Sequence, residues 1–204
     1  MGLWTERVVP RIANRFLDNA HVRAVRERVC AGLSGEVLEI GFGSGLNVPH
    51  YPPAVRSVAA VEPSELGWRL AGPRVTASEV PVVRSGLDGQ SLPFESGSFD
   101  AALSTFTLCT IPDATQALAE VRRVLRPGGA LHFVEHGRAP EERVRRWQAR
   151  LNPVNRRIAG GCHLDRPIDT LLTGAGFVLE RLDNSYAKGD PKPFGYLYEG
   201  VARR

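Results

Sequence analysis

The chain has no run near the roughly 18 consecutive apolar residues that a membrane-crossing helix requires, so no spanning helix is expected. No charged-then-apolar secretory signal opens it either. Cysteine is scarce: Cys30, Cys109 and Cys162 are odd in number, far apart in the chain, and form no C-x-x-C pair. Neither a disulfide framework nor a structural zinc site is expected from that spacing, and a reducing cytoplasm is the expected compartment. Lysine is almost missing, with only Lys188 and Lys192 beside many arginines, and the net charge is +4. Such a charge permits weak attraction to anionic surfaces without demanding it, so at most peripheral membrane contact is expected. Zinc knuckles, RNA-binding aromatic motifs and long basic tails are lacking, so no nucleic-acid partner is expected.

What is present describes an ordinary globular domain: 204 residues, 43% apolar and 24% charged, enough for one full core. Its centre is Val37-Leu38-Glu39-Ile40-Gly41-Phe42-Gly43-Ser44-Gly45. A short β-branched run of strand length stops at three glycines spaced two apart, which exposes backbone N–H groups with little side chain in the way. A dinucleotide fingerprint, G-x-G-x-x-G, would place its third glycine at 46, where Leu46 stands. Glu39 argues the same way, since a carboxylate suits an amine or sulfonium better than a phosphate. A ligand-free βα turn is the plainer alternative at this point.

In chain order, residues 1–34 read as helical. Leu3, Trp4, Val8, Ile12 and Phe16 recur at helical spacing, Pro10 divides the stretch, and Asp18 is the expected cap of a second helix over 18–33. The segment reads as packed on the domain or as a lid, with a membrane-surface helix as the third possibility. Strands are expected at 37–40, 57–61, 80–83, 101–104, 130–135, 177–182 and 196–202. Glu62 ends the second strand about twenty residues beyond the turn, placed to accept from two ribose hydroxyls. A helix follows Asp113, and another covers 141–157 with Val144, Trp147, Leu151 and Val154 as its expected core stripe. Cys162-His163 could suggest a metal ligand pair, but no further ligands stand at metal spacing, so no metal is expected.

Several of these stretches carry a resemblance. Glu-x-Gly-x-Gly-x-Gly, Glu62, the Asp88-to-Leu92-Pro93-Phe94 loop, Ser98-Phe99-Asp100 and Leu125-Arg126-Pro127-Gly128-Gly129 occur in the order of class I S-adenosylmethionine-dependent methyltransferases, over roughly 35–136. Asn47 with Tyr51-Pro52-Pro53, Thr107-Leu108-Cys109, Phe133-Val134-Glu135-His136 and Gly161-Cys162-His163-Leu164-Asp165-Arg166 look more narrowly like the methyltransferase-like thiol methyltransferases, whose animal members are associated with membranes. Residues 1–34 are not expected to form a hydrophobic anchor like theirs.

The resemblance implies a Rossmann-like α/β fold with a seven-stranded, mostly parallel sheet and an antiparallel last strand. One domain is implied, with an N-terminal helical lid (1–34), a cofactor core (35–136), a substrate-side insertion (137–176) and closing strands (177–204). It further implies S-adenosylmethionine as cofactor, S-adenosylhomocysteine as product, and Glu39, Gly41, Gly43, Gly45, Asn47, Glu62, Pro63, Asp88, Gly89 and Thr105 as cofactor-binding residues. The acceptor would be a small molecule: a thiol, or else a phenol, quinol or lipid-like group; cofactor binding without catalysis is a further alternative. His136, with His163 as second candidate, is the expected general base, if one is used. No oligomeric state follows from these residues.

Overall fold

The computed structural model describes residues 4–204. Leu3, part of the first expected helix, lies outside the described residues. A wide helical turn, Trp4–Val8, leads into helix α1 (Val9–Phe16), with Pro10 accommodated in the first turn. Helix α2 (Ala20–Cys30) is capped by Asn19, whose side chain accepts from Val22 N. Asp18, the expected cap, instead pairs with Arg23 and Arg74.

Seven strands follow: β1 (Gly35–Ile40), β2 (Val55–Val61), β3 (Val82–Gly86), β4 (Phe99–Thr105), β5 (Leu125–His136), β6 (Val178–Tyr186) and β7 (Tyr196–Arg203). They form one sheet in the order β3-β2-β1-β4-β5-β7-β6. The first five are mutually parallel, while β7 runs antiparallel to both β5 and β6. The third strand starts two residues later than expected. Arg126-Pro127-Gly128-Gly129 is an irregularity inside β5, not a turn before it: Phe99 pairs with Leu125, and Ala101 with Ala130.

The crossovers carry α3 (Glu65–Thr76), α4 (Ala114–Val124), α5 (Glu142–Ile158) and α6 (Ile168–Gly174), and a short α7 (Lys192–Gly195) leads into β7. Asp113 caps α4 by accepting from Gln116 N. Alternation along the strands divides the core. Leu38, Ile40, Leu131 and Phe133 pack with α4 and α6, whereas Val37, Leu103 and Val134 pack with Val25, Val29 and Cys30 of α2. Glu39 has the parity of Val37, so it faces α2.

Helix α5 corrects one expectation. Val144 is buried, but Trp147 and Val154 are 48% and 57% exposed, and the inner face carries Gln148 and Asn155. Gln148 accepts from Ala139 N and donates to the Gly137 carbonyl, so the insertion's backbone needs this amide there. Trp4 Nε1 donates to the Ile158 carbonyl and ties the N-terminal turn to the end of α5.

Candidate active site

At the carboxyl end of β1 the chain turns at Gly41 and Gly43, both at positive φ. A Cβ on Gly41 would overlap the Thr107 side chain, so this glycine lets the loop after β4 close against the turn. A Cβ on Gly43 would meet nothing nearer than the Gly41 carbonyl at 3.9 Å, which leaves the turn's outer face clear. Gly45 repeats the left-handed conformation one step on.

Beneath the turn lies a buried polar network. Glu39 accepts from Asn47 Nδ2 at 2.9 Å and from the Tyr51 hydroxyl, and burial lifts its pKa to about 7. Asn47 Nδ2 also reaches Thr105 Oγ1 at 3.0 Å. Arg26 of α2 donates to Asn47 Oδ1 at 2.7 Å and to Thr105 Oγ1 at 2.8 Å. Its guanidinium is buried and lies 5.4 Å from the centre of the Phe106 ring. Arg26 Nε is buried without a hydrogen-bond partner, which costs stability. Sequence reasoning gave neither Arg26 nor Tyr51 a role in the site. For Arg26 the available signal was helical phase, since it stands on the apolar face of α2 with Val22, Val25 and Val29.

Glu62 follows β2 and is 5% exposed. Its two oxygens accept separately, Oε2 from Gly43 N at 2.6 Å and Oε1 from Ser64 N at 2.7 Å, while burial raises its pKa. Each oxygen keeps a lone pair for a further donor. Pro63 beside it is exposed. Asp88 is also exposed, its Oδ1 accepting from Gln90 N at 2.9 Å, while Gly89 is buried against Ile40 and Ile111.

The other flank is the loop after β4. Phe106 holds a positive φ of 55°, the only non-glycine to do so among the described residues. Glu135, 0% exposed, accepts from Ser104 Oγ (2.7 Å), Thr107 N (3.0 Å) and Cys109 N (3.1 Å). It shapes the loop from within. His136 stacks at a tilt on Phe106, with ring centres 4.9 Å apart. Burial works against its imidazolium and the Cys109 thiol works for it; the balance raises its pKa.

One expectation changes here. Cys109 and Cys162, far apart in the chain, bring their sulfurs to 3.7 Å, and the ligand atoms of Cys109, His136 and Cys162 all lie within 4.8 Å of one another. Sequence spacing gave no sign of this group because its members come from three distant segments. His163 is not a member: its backbone N donates to the Cys109 carbonyl, and its half-buried imidazole has a pKa lowered by burial.

These features meet known proteins in one place. A family described as a methyltransferase domain matches residues 38–133. Thiol S-methyltransferase TMT1B of Rattus norvegicus is 34% identical over 177 residues, covering 83% of this chain and 69% of the relative. The chain belongs to the class I S-adenosylmethionine-dependent methyltransferases. The human TMT1B is 38% identical over 154 residues, which are 72% of this methyltransferase and 62% of the relative. Demethylmenaquinone methyltransferase of Clavibacter sepedonicus is 32% identical over 125 residues, 61% of this chain and 51% of the relative. Among solved structures, a methyltransferase from Thermotoga maritima matches the fold with a TM-score of 0.70 at 23% identity, covering 100% and 99% of the two chains. S-Adenosylmethionine is therefore this enzyme's cofactor, and the glycine turn stands at the sheet edge where such α/β folds bind ligands.

Proposed function

We propose that this methyltransferase transfers its methyl group to the sulfur of a small-molecule thiol. The observation that carries this reading is the 34% identity to the rat thiol S-methyltransferase, which extends over 83% of the chain and thus through the acceptor flank.

S-Adenosylmethionine supplies an electrophilic sulfonium methyl and leaves as S-adenosylhomocysteine. Within this reading Glu39, buried and anionic above pH 7, faces the ammonium group, and the buried positive charge of Arg26 favours the carboxylate end. Asn47 and Thr105 hold Arg26 in place. Glu62 accepts from the ribose hydroxyls with the lone pairs that Gly43 and Ser64 leave open. Gly41, Gly43 and Gly45 keep the approach clear, Pro63 carries the chain past the ribose, and Asp88 with Gly89 meets the adenine edge.

The acceptor lies on the loop 105–109, beside His136 and Cys162. A thiolate is nucleophilic without a dedicated base, so alignment at about 3–3.5 Å and exclusion of water carry the rate. His136, engaged with Cys109, orders this flank. Cytoplasmic residence accords with three free cysteines, two of them close enough to oxidise elsewhere. Among the described residues no helix is long and apolar enough to cross a membrane. Exposed Trp4, Phe16, Trp147 and Val154 support peripheral contact at most.

The test is methyl transfer from labelled S-adenosylmethionine to alkyl thiols, phenols, a quinol and phospholipid vesicles in parallel. Label in the thioether product is expected. Label in the quinol or lipid alone overturns the thiol, and cofactor binding without transfer to any acceptor overturns catalysis.

A further inference from the structure

We infer that Cys109, His136 and Cys162 form a site for a thiophilic divalent cation of the zinc class, with the fourth coordination position open to the acceptor thiol. The second half rests on the thiol reading above; the cation site itself does not.

The sulfur spacing fits a cation. Two metal–sulfur bonds of about 2.3 Å at the tetrahedral angle hold their sulfurs about 3.75 Å apart. Cys109 Sγ and Cys162 Sγ are 3.7 Å apart, far beyond the roughly 2.05 Å of a disulfide. The imidazole of His136 completes a three-membered group with all ligand atoms within 4.8 Å. Two sulfurs and one nitrogen are a soft donor set that favours zinc over magnesium or calcium. Three protein ligands, not four, are the pattern of a site that keeps one position for water or substrate.

The surroundings hold these ligands in place. Glu135 fixes Cys109 by accepting from its backbone N, and the Cys109 carbonyl accepts from His163 N at 2.7 Å. Asn155 donates to the Cys162 carbonyl at 2.8 Å, and Arg166 donates to the Leu108 and Pro112 carbonyls, clasping the two loops together. Gly161, at φ 98°, lets the chain leave α5 and lay Cys162 against the loop after β4. Such outer contacts are what orient metal ligands. The group also stands beside the cofactor edge, since Thr107, two residues from Cys109, packs on Gly41.

The chemistry closes. A divalent cation with two thiolates and a neutral imidazole carries no net charge. An acceptor thiol entering the fourth position loses its proton to solvent and becomes a metal-held thiolate, opposite in charge to the sulfonium. Its sulfur lone pair forms the new carbon–sulfur bond, and the sulfonium carbon–sulfur bond breaks with its electron pair kept by the departing thioether. The methylated product is a neutral thioether, a weaker ligand, and is released.

The test starts from full-length protein stripped of metal with a chelator, kept under a phosphine reductant and titrated with cobalt(II). One equivalent per chain is expected, with thiolate-to-cobalt charge-transfer absorption and the strong visible bands of a tetrahedral ion. Adding benzyl mercaptan without cofactor should deepen the charge-transfer band. Cys162→Ser and His136→Ala should each weaken or abolish the spectrum. Should those variants not fold, the wild-type spectrum decides: no bound cobalt, or bound cobalt without a thiolate band, overturns the site. A stripped protein that methylates thiols at the full rate overturns the role of the open position for the acceptor and leaves the thiol reading standing. Cobalt held by all three ligands while no thiol is methylated supports the cation site and sinks that reading.

Discussion

The two flanks of the glycine turn spend their charge differently. On the β1–β2 side, Glu39, Glu62 and Arg26 are buried at the edge, with one unpartnered N–H and with carboxylate oxygens that keep open lone pairs. On the β4–β5 side the buried carboxylate, Glu135, turns all its bonds inward to the loop. What remains there to meet an acceptor is sulfur, imidazole and an aromatic ring. A zwitterionic cofactor needs fixed, opposite charges to read it, whereas a soft nucleophile reacts best where ordered water and hard charges are kept away. On the reading proposed above, one flank recognises and the other positions.

That contrast is open to breakage. The largest effect is expected from Glu135→Ala, which strips the acceptor from three buried donors at once. At about 1–3 kcal/mol for each unsatisfied group, the loss should be about 3 kcal/mol or more, read as a lower urea midpoint. Unchanged stability would mean that Glu135 does not organise the acceptor flank. Glu62→Ala should cost less stability, because it frees two part-buried donors instead of three buried ones, while weakening S-adenosylhomocysteine by roughly ten- to hundredfold, as losing charge-assisted bonds worth about 1.5–3 kcal/mol implies. Calorimetric affinity equal to wild type in folded protein removes Glu62 from the ribose.

Glu39 sharpens the comparison through pH. Its folded pKa, about 7, lies above its ordinary 4.5 because burial disfavours the anion. Its contribution to stability is therefore fullest below pH 4.5 and is lost as pH rises to about 7. Ligand binding has the opposite sign, because an ammonium group favours the carboxylate. Affinity for S-adenosylhomocysteine should climb as pH rises towards 7, by at most about tenfold per unit, with proton release on binding visible in buffers of different ionisation enthalpy. Glu39→Gln should flatten that slope. A slope that survives in Glu39→Gln assigns the titration to another group.

Much of the recognising flank was legible because it is local in the chain. Glu39, the glycines and Asn47 fall within nine residues, and Glu62 follows at the end of the next strand. The strands too were legible as short apolar runs bounded by turns, whereas their arrangement in one mostly parallel sheet followed from the family resemblance. Arg26 was hidden among other arginines, although its helical phase marked it. The positioning flank was illegible for a different reason. Cys109, His136 and Cys162 are joined only by the fold, and no spacing rule connects three segments across more than fifty residues. Helix α5 misled because its burial is governed by backbone groups that Gln148 and Asn155 satisfy, which outweighs the hydrophobic stripe of Trp147 and Val154.

Asp88 is where the smallest effect is expected, and it bears on where the recognising flank ends. It lies at the rim, exposed, with one oxygen already accepting from Gln90 N and Gln90 Nε2. Water competes for its remaining lone pairs, so an adenine amino group gains little by replacing it. Asp88→Ala should weaken S-adenosylhomocysteine by about 0.5–1.5 kcal/mol, thus less than about tenfold, and should weaken a cofactor analogue lacking the adenine amino group less still. Gly89 supplies the contrast. It is buried, and a Cβ there would press on Ile111 Cδ1 at 3.2 Å, so Gly89→Val should disturb the adenine side more than the loss of the carboxylate does. If Asp88→Ala costs as much as Glu62→Ala, the rim is part of the charged recognition set, and burial does not divide the carboxylates that read the cofactor from those that do not.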